Sequence, residues 1–173
     1  MENIILIGMP GAGKSTVGVI LAKTLGMNFI DTDIVIQDQA ERLLQEIIDK
    51  EGSAGFLEAE EKAIQALDAH HAVIATGGSV VFSELAMKHL KSGGIILYLS
   101  ISYETMIQRI SNIKTRGIVL ITGQDLRDMY NQRIPLYEKY ADITIDCFND
   151  DTETIVQKIL DEIRISRQVQ QDI

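Results

Sequence analysis

The residues that most restrict the fold are Gly8-Met9-Pro10-Gly11-Ala12-Gly13-Lys14-Ser15, which match the pattern G-x-x-x-x-G-K-[ST] in full. Residues 4–7 before them are a short apolar run, the mark of a buried parallel strand. After them, Val17, Ile20, Leu21, Thr24 and Leu25 recur with helical period, and Gly26 offers a stop. A strand, a glycine-rich turn and a helix in that order form a phosphate-binding loop. Glycines let successive N–H groups turn inward toward phosphate oxygens. The helix that follows adds the positive end of its dipole. Gly11, Ala12, Gly13, Lys14, Ser15 and Thr16 are therefore expected to hold the phosphates of a nucleotide. Lys14 is expected to reach the β- and γ-phosphates and Ser15 to ligate Mg²⁺.

The rest of the chain repeats the alternation. Short apolar runs begin at Phe29 and cover 72–75, 95–99 and 143–146, and helical patterns separate them. Residues 34–69 read as helix-rich with a break near Glu51-Gly52-Ser53. Further helices are expected at 83–91, 102–110, 124–139 and 152–167, with a frayed tail from Gln168. Five strands alternating with helices predict an α/β fold, a parallel five-stranded sheet covered on both faces. Ligands on such sheets lie at the carboxyl ends of strands. Three polar motifs fall there: the loop at 8–15, Asp31-Thr32-Asp33, and Thr76-Gly77-Gly78-Ser79.

Bulk properties narrow the partners. The chain has 173 residues, which suits one domain over 1–173. Its formal net charge of −9 disfavours nucleic acid and anionic membranes as partners. No apolar run approaches the length of a membrane span, and the N-terminus lacks a basic leader. The one cysteine, Cys147, rules out an internal disulfide framework and suits a reducing, cytoplasmic setting. A monomer is expected. His70, His71 and His89 show no ligand spacing and read as surface residues. The run Glu58-Ala59-Glu60-Glu61 reads as a solvated helix face.

Taken together, Gly8–Thr16, Asp31-Thr32-Asp33, Thr76-Gly77-Gly78 and Arg133-Ile134-Pro135-Leu136-Tyr137 resemble the shikimate kinases, in matching order over nearly the whole chain. These are small P-loop kinases, three-layer sandwiches with a mobile lid, that phosphorylate a hydroxyl of a cyclic polyol carboxylate. The resemblance implies ATP and Mg²⁺ as cofactors and a small anionic acceptor, shikimate, converted to shikimate 3-phosphate. It implies that Asp33 contacts the acceptor hydroxyls, that Asp31 helps hold the metal with Ser15, and that Gly77 and Gly78 approach the acceptor. Arg133 would bind its carboxylate. A helical segment at about 34–60 would form the acceptor side, and 111–123 the lid. Arg116 in the lid would stabilise the transferring phosphoryl group, and Arg109 would stack on the adenine. On the residues alone, Asp33 could instead cap the helix that follows it. Arg133 could be a solvated arginine or part of a structural pair, and Arg109 an exposed helix end.

Three positions depart from the family pattern. Leu57 replaces a second arginine that clamps the acceptor carboxylate, with Phe56 and Glu60 aligned around it; the resemblance implies that Glu60 helps order the substrate arginines. Ser79 replaces a third glycine, and would be strained if that position needs φ > 0. Gly117 replaces a proline in the lid. Lys62 is a candidate for the missing charge. Two other functions stay open: a nucleoside monophosphate or other polyol kinase, and a nucleotide-binding regulatory protein without transfer activity.

Overall fold

A computed structural model describes residues 2–111 and 124–171, and the side chains of 2–110 and 124–166 within them. The elements run β1 (Asn3–Ile7), α1 (Lys14–Leu25), β2 (Asn28–Asp31), α2 (Thr32–Ala40), α3 (Leu44–Gln65), β3 (Ala72–Ala75), a 3₁₀ turn (Val80–Phe82), α4 (Glu84–Gly93), β4 (Gly94–Ser100), α5 (Tyr103–Ser111), α6 (Leu126–Tyr140), β5 (Ile143–Asp146) and α7 (Thr152–Gln171).

All five strands lie parallel in one sheet, in the order β2-β3-β1-β4-β5. β1 is central, and every residue of β1 and of β3 is buried. Continuous burial needs cover on both faces, which is why these runs are apolar throughout rather than alternating. Each buried Ile or Leu of β1 contributes about 1.5–3 kcal/mol relative to an exposed position. Asn3 is the polar exception at the foot of the strand. It is buried and fully used: its Nδ2–H donates to the Ala69 carbonyl at 2.6 Å, and its Oδ1 accepts from Ala72 N–H at 3.0 Å. That pins the register of β1 against β3 before either strand begins to pair.

The order places a reversal of direction at β1. The chain crosses to one edge for β2, returns to β3 beside β1, then passes over to β4 on the other side. Such a reversal leaves a crevice at the carboxyl ends of β1 and β3. The loop at 8–15 opens directly into it.

Residues 34–69 carry two interruptions. Gly52, at φ 71° and ψ −177°, breaks α3 where the sequence suggested. The second lies at Glu41, φ 52°, which caps α2 in left-handed geometry and has no glycine to signal it. α2 and α3 pack on a core of their own formed by Ile36, Leu44, Ile47, Phe56 and Ala63, separate from the main core under the sheet. α7 runs to Gln171, beyond the fraying expected from Gln168. Cys147 is fully buried next to β5, and burial pushes its thiol up to about 12, so it packs as an apolar residue. No helix of the described residues is long and apolar enough to cross a membrane.

Candidate active site

The loop between β1 and α1 is shaped by steric necessity. Gly8 has φ 147°, and a Cβ there would stand 2.6 Å from the Leu99 carbonyl oxygen of β4, so no other residue fits. Lys14 begins α1 and folds back over the loop. Its ammonium donates to the carbonyls of Gly8 at 2.7 Å and Met9 at 2.9 Å. The side chain is thus held buried at the mouth of the loop. The Ser15 hydroxyl donates to Asp31 Oδ2 at 2.7 Å, which brings together the two groups expected at a metal. A hydroxyl and a carboxylate at the end of a phosphate loop are hard oxygen donors suited to Mg²⁺. Among the described residues there is no cluster of three or more His, Cys, Asp or Glu side chains fit to hold a metal.

Asp31 also serves the backbone. Its Oδ1 accepts from the Asp33 N–H at 3.0 Å and caps α2. The capping considered for Asp33 belongs to Asp31, because Asp31 has extended geometry (φ −107°, ψ 116°) and Asp33 already lies in the first turn. The Asp33 side chain instead faces the crevice. With Lys14, Ser15, Phe56, Thr76 and Gly78 it lines one cavity that adjoins the phosphate loop.

Thr76 extends the pairing of β3 with β1, its N–H and hydroxyl both donating to the Leu6 carbonyl. Gly77 N–H then donates to the Thr32 hydroxyl at 3.2 Å. Neither Gly77 nor Gly78 has a positive φ. They are glycines because of crowding: a Cβ on Gly77 would collide with Glu60 Oε1, and one on Gly78 would lie 3.0 Å from Pro10 and 3.1 Å from Arg133 Nη1. Ser79 has φ −93°, so the strain feared for a serine there does not arise. Its hydroxyl donates to Glu60 Oε2 at 2.7 Å.

Arg133 is not a solvated arginine. It is 2% exposed on α6, lies 5.3 Å from the Phe82 ring centroid, and is brought behind Gly78 by its helix. Tyr137, one turn on, donates its hydroxyl to the Gly78 carbonyl at 2.6 Å and stacks on Tyr98 of β4. Pro135 lies between them inside the helix. The stretch from Arg133 to Tyr137 is thereby tied to the Gly77-Gly78 turn by direct contact.

Glu60 was aligned by the family resemblance at a position that helps order the substrate arginines, while its run of glutamates pointed to a solvated face, and the run misled. Assigned to a solvated face with Glu58 and Glu61, it is 2% exposed, whereas Glu58 lies in solvent. Burial pushes its carboxyl up to about 7; the Ser79 hydrogen bond opposes this, the Asp33 charge adds to it, and Arg133 and Lys14 oppose it. The helical period was the available signal, since Phe56, Glu60 and Ala63 share one face of α3 and are all buried. His89 also departs from expectation. It is half-buried, with Nε2 at 2.9 Å from the Leu67 carbonyl, while His70 and His71 are exposed.

Leu57 packs against the small core of α2 and α3. Lys62 does not replace the charge it lacks: Lys62 is exposed and pairs with Glu58 at 2.6 Å. Arg109 reaches from α5 over the loop, its Nη1 donating to the Gly11 carbonyl at 3.1 Å. It lines a cavity of about 480 Å³ with Gly13, Thr16 and the Asp150-Asp151-Thr152 turn, a size within the range of small-molecule sites. That turn carries no motif and was not read from the sequence. Arg116, Gly117 and the rest of the expected lid beyond Ser111 lie outside the described residues.

A parallel sheet in this order, with a phosphate loop at its reversal point and an acceptor crevice beside it, defines a P-loop kinase of small molecules. The shikimate kinase family profile matches residues 10–164. A shikimate kinase of Pseudomonas paraeruginosa is 38% identical over 167 residues, spanning 95% of this chain and 97% of that one. One from Thermodesulfovibrio yellowstonii is 36% identical over 165 residues, or 94% and 95% of the two chains. Among solved structures, the shikimate kinase from Acinetobacter baumannii in complex with shikimate superposes with a TM-score of 0.88 at 36% identity, covering 96% of this chain and 94% of that one. The chain belongs to the shikimate kinase family.

Proposed function

We propose that this chain transfers the γ-phosphoryl group of ATP to a ring hydroxyl of shikimate, giving shikimate 3-phosphate and ADP. The observation that carries the reading is a single cavity in which Lys14 and Ser15 stand beside Asp33 and the Gly77-Gly78 turn backed by Arg133. A phosphate at the loop and a hydroxyl beside Asp33 would lie close together in that cavity, the first requirement of transfer.

Gly11 through Thr16 would hold the phosphates, and Arg109 would flank the nucleotide base. Ser15, with Asp31 behind it, would hold a magnesium ion, which supplies positive charge to the β- and γ-oxygens. Asp33 would orient the attacking hydroxyl and accept its proton as the new O–P bond forms and the bond to the ADP oxygen breaks. Lys14 would stabilise the charge on the leaving phosphate, and Arg116 that on the moving group. The Arg133 guanidinium fork suits a carboxylate. A cytoplasmic, monomeric, single-domain enzyme is part of the same reading.

The packing of Leu57 in an apolar core favours a second reading, in which the acceptor lacks a carboxylate or carries it elsewhere. The test is ADP release from Mg-ATP with shikimate, beside a panel of other hydroxy acids, polyols and nucleotides. Strong stimulation by shikimate is expected. Stimulation only by another acceptor would move the substrate, and silence across the panel would leave a nucleotide-binding protein without transfer activity.

A further inference from the structure

The acceptor end of the crevice has an unusual charge balance, and the following rests on shikimate being the acceptor. Arg133 is the one buried arginine among the described residues. Leu57 brings no second cation. Against that single guanidinium stands a buried carboxyl, Glu60, on the far side of the same two glycines. Ser79 occupies one of its oxygens. The other, Oε1, has no hydrogen-bond donor among the described residues and lies directly under Gly77. A buried carboxylate with one oxygen unpartnered is poorly stabilised as an anion, so a further negative charge nearby tips it toward the acid.

We infer that Glu60 takes up a proton when an anionic acceptor binds beside Arg133, with the Ser79 hydroxyl holding the carboxyl in place. The groups that face Glu60 come from four elements: Asp33 from α2, Lys14 from α1, Arg133 and Tyr137 from α6, and Ser79 from the turn after β3. Tyr137 stays neutral, because burial holds its phenol far above its usual value. Asp33 adds a negative charge to the same space. An acceptor carboxylate would be a third anion around the one guanidinium and one ammonium that the described residues bring to Glu60, and Lys14 would be committed to phosphate. In a site poor in water, neighbouring anions drive one of their number to bind a proton. Glu60 is that group, since burial already pushes it up to about 7 and a further anion acts in the same direction. The neutral acid leaves Arg133 to the acceptor. Glu60 is a positioning residue in this account: it acts through Arg133 and touches no reacting atom.

The test is the dissociation constant of shikimate, measured by calorimetry on the whole chain saturated with Mg-ADP. The range runs from about pH 6 to about pH 9, well above the ~4 at which carboxylic acids titrate, so the ligand keeps one charge throughout. Affinity is expected to be level at the acid end and to weaken toward tenfold per pH unit at the alkaline end. Glu60→Gln should remove the slope. Ser79→Ala removes a donor that favours the charged form, so it should move the bend to higher pH and keep the slope. In the unmodified protein, proton uptake should also appear as a binding heat that differs between buffers of different ionisation enthalpy, a readout independent of any variant. A level dissociation constant with no buffer-dependent heat would overturn the inference alone. A slope that survives Glu60→Gln would assign the proton to another group and overturn it as well. Failure of shikimate to bind at any pH while Mg-ADP binds would overturn the acceptor reading and this inference with it.

Discussion

The nucleotide side and the acceptor side of the crevice are built by different means. The nucleotide side is one continuous stretch: β1, the loop at 8–15 and the start of α1. The groups it offers to a nucleotide are backbone N–H groups and the side chains of Lys14 and Ser15. The acceptor side is gathered from four stretches far apart in sequence. Asp33 comes from α2, Glu60 from α3, Gly77 to Ser79 from the turn after β3, and Arg133 from α6. A contiguous loop tolerates little change, because the contact of Gly8 with Leu99 and the positive φ of Gly11 and Gly13 hold its glycines. A gathered pocket allows one contributor to change while the others hold it together, and all the described departures from the family pattern, Leu57 and Ser79, lie on that side.

The largest expected effect breaks the first half of this contrast. Lys14→Ala should lower kcat/KM for acceptor-dependent ADP release by about 10³-fold, the scale of losing one preorganised charged donor in the transition state. Retention of more than a tenth of the activity would mean that phosphate handling does not centre on this loop. Next, Arg133→Met keeps much of the buried volume and removes the fork. It should raise the shikimate KM by about 10–150-fold, the equivalent of one charged hydrogen bond, with Mg-ADP affinity unchanged. A parallel loss of nucleotide affinity would dissolve the distinction between the two sides.

Leu57→Arg sharpens the contrast in the other direction. Restoring a cation should lower the shikimate KM, by about tenfold at most, because a second charged bond is regained and packing against Phe56 is disturbed. An unchanged KM would show that position 57 does not face the acceptor. The smallest effect separates the two tasks of Asp31. Asp31→Ala should cost about 1 kcal/mol in a urea melt through loss of the α2 cap, whereas Asp31→Asn, an equally good cap, should cost almost nothing. Both should raise the Mg²⁺ concentration needed for half-maximal rate. If only the alanine variant does so, the carboxylate charge plays no part at the metal.

Much of the fold was legible because its signals are local. Buried strands of a parallel sheet are apolar runs, and Gly26 and Gly52 mark a helix end and a helix break where the structure has them. The left-handed turn at Glu41 carries no such mark and was missed. In the site, Lys14, Ser15 and the Asp31-Thr32-Asp33 stretch could be found from spacing alone, and Gly77, Gly78 and Arg133 through the family resemblance. The exchange of capping from Asp33 to Asp31 was not legible, since either carboxylate suits the composition and only backbone geometry chooses. Glu60 was marked by the resemblance alone: in a run of three glutamates, identity says nothing about which one turns inward.

The sequence by itself determined that a phosphate loop sits between a buried strand and a helix, and that four more strands alternate with helices around it. Those are properties of a few consecutive residues, set by φ/ψ limits and by hydrophobic period. Only the tertiary structure decided that β1 lies between β3 and β4, that Arg133 stands buried behind Gly78, and that Glu60 meets Ser79 under Gly77. Those depend on burial and contact between distant segments, which no local pattern carries. Burial is also what moves a glutamate up from the usual carboxylate range toward neutral pH.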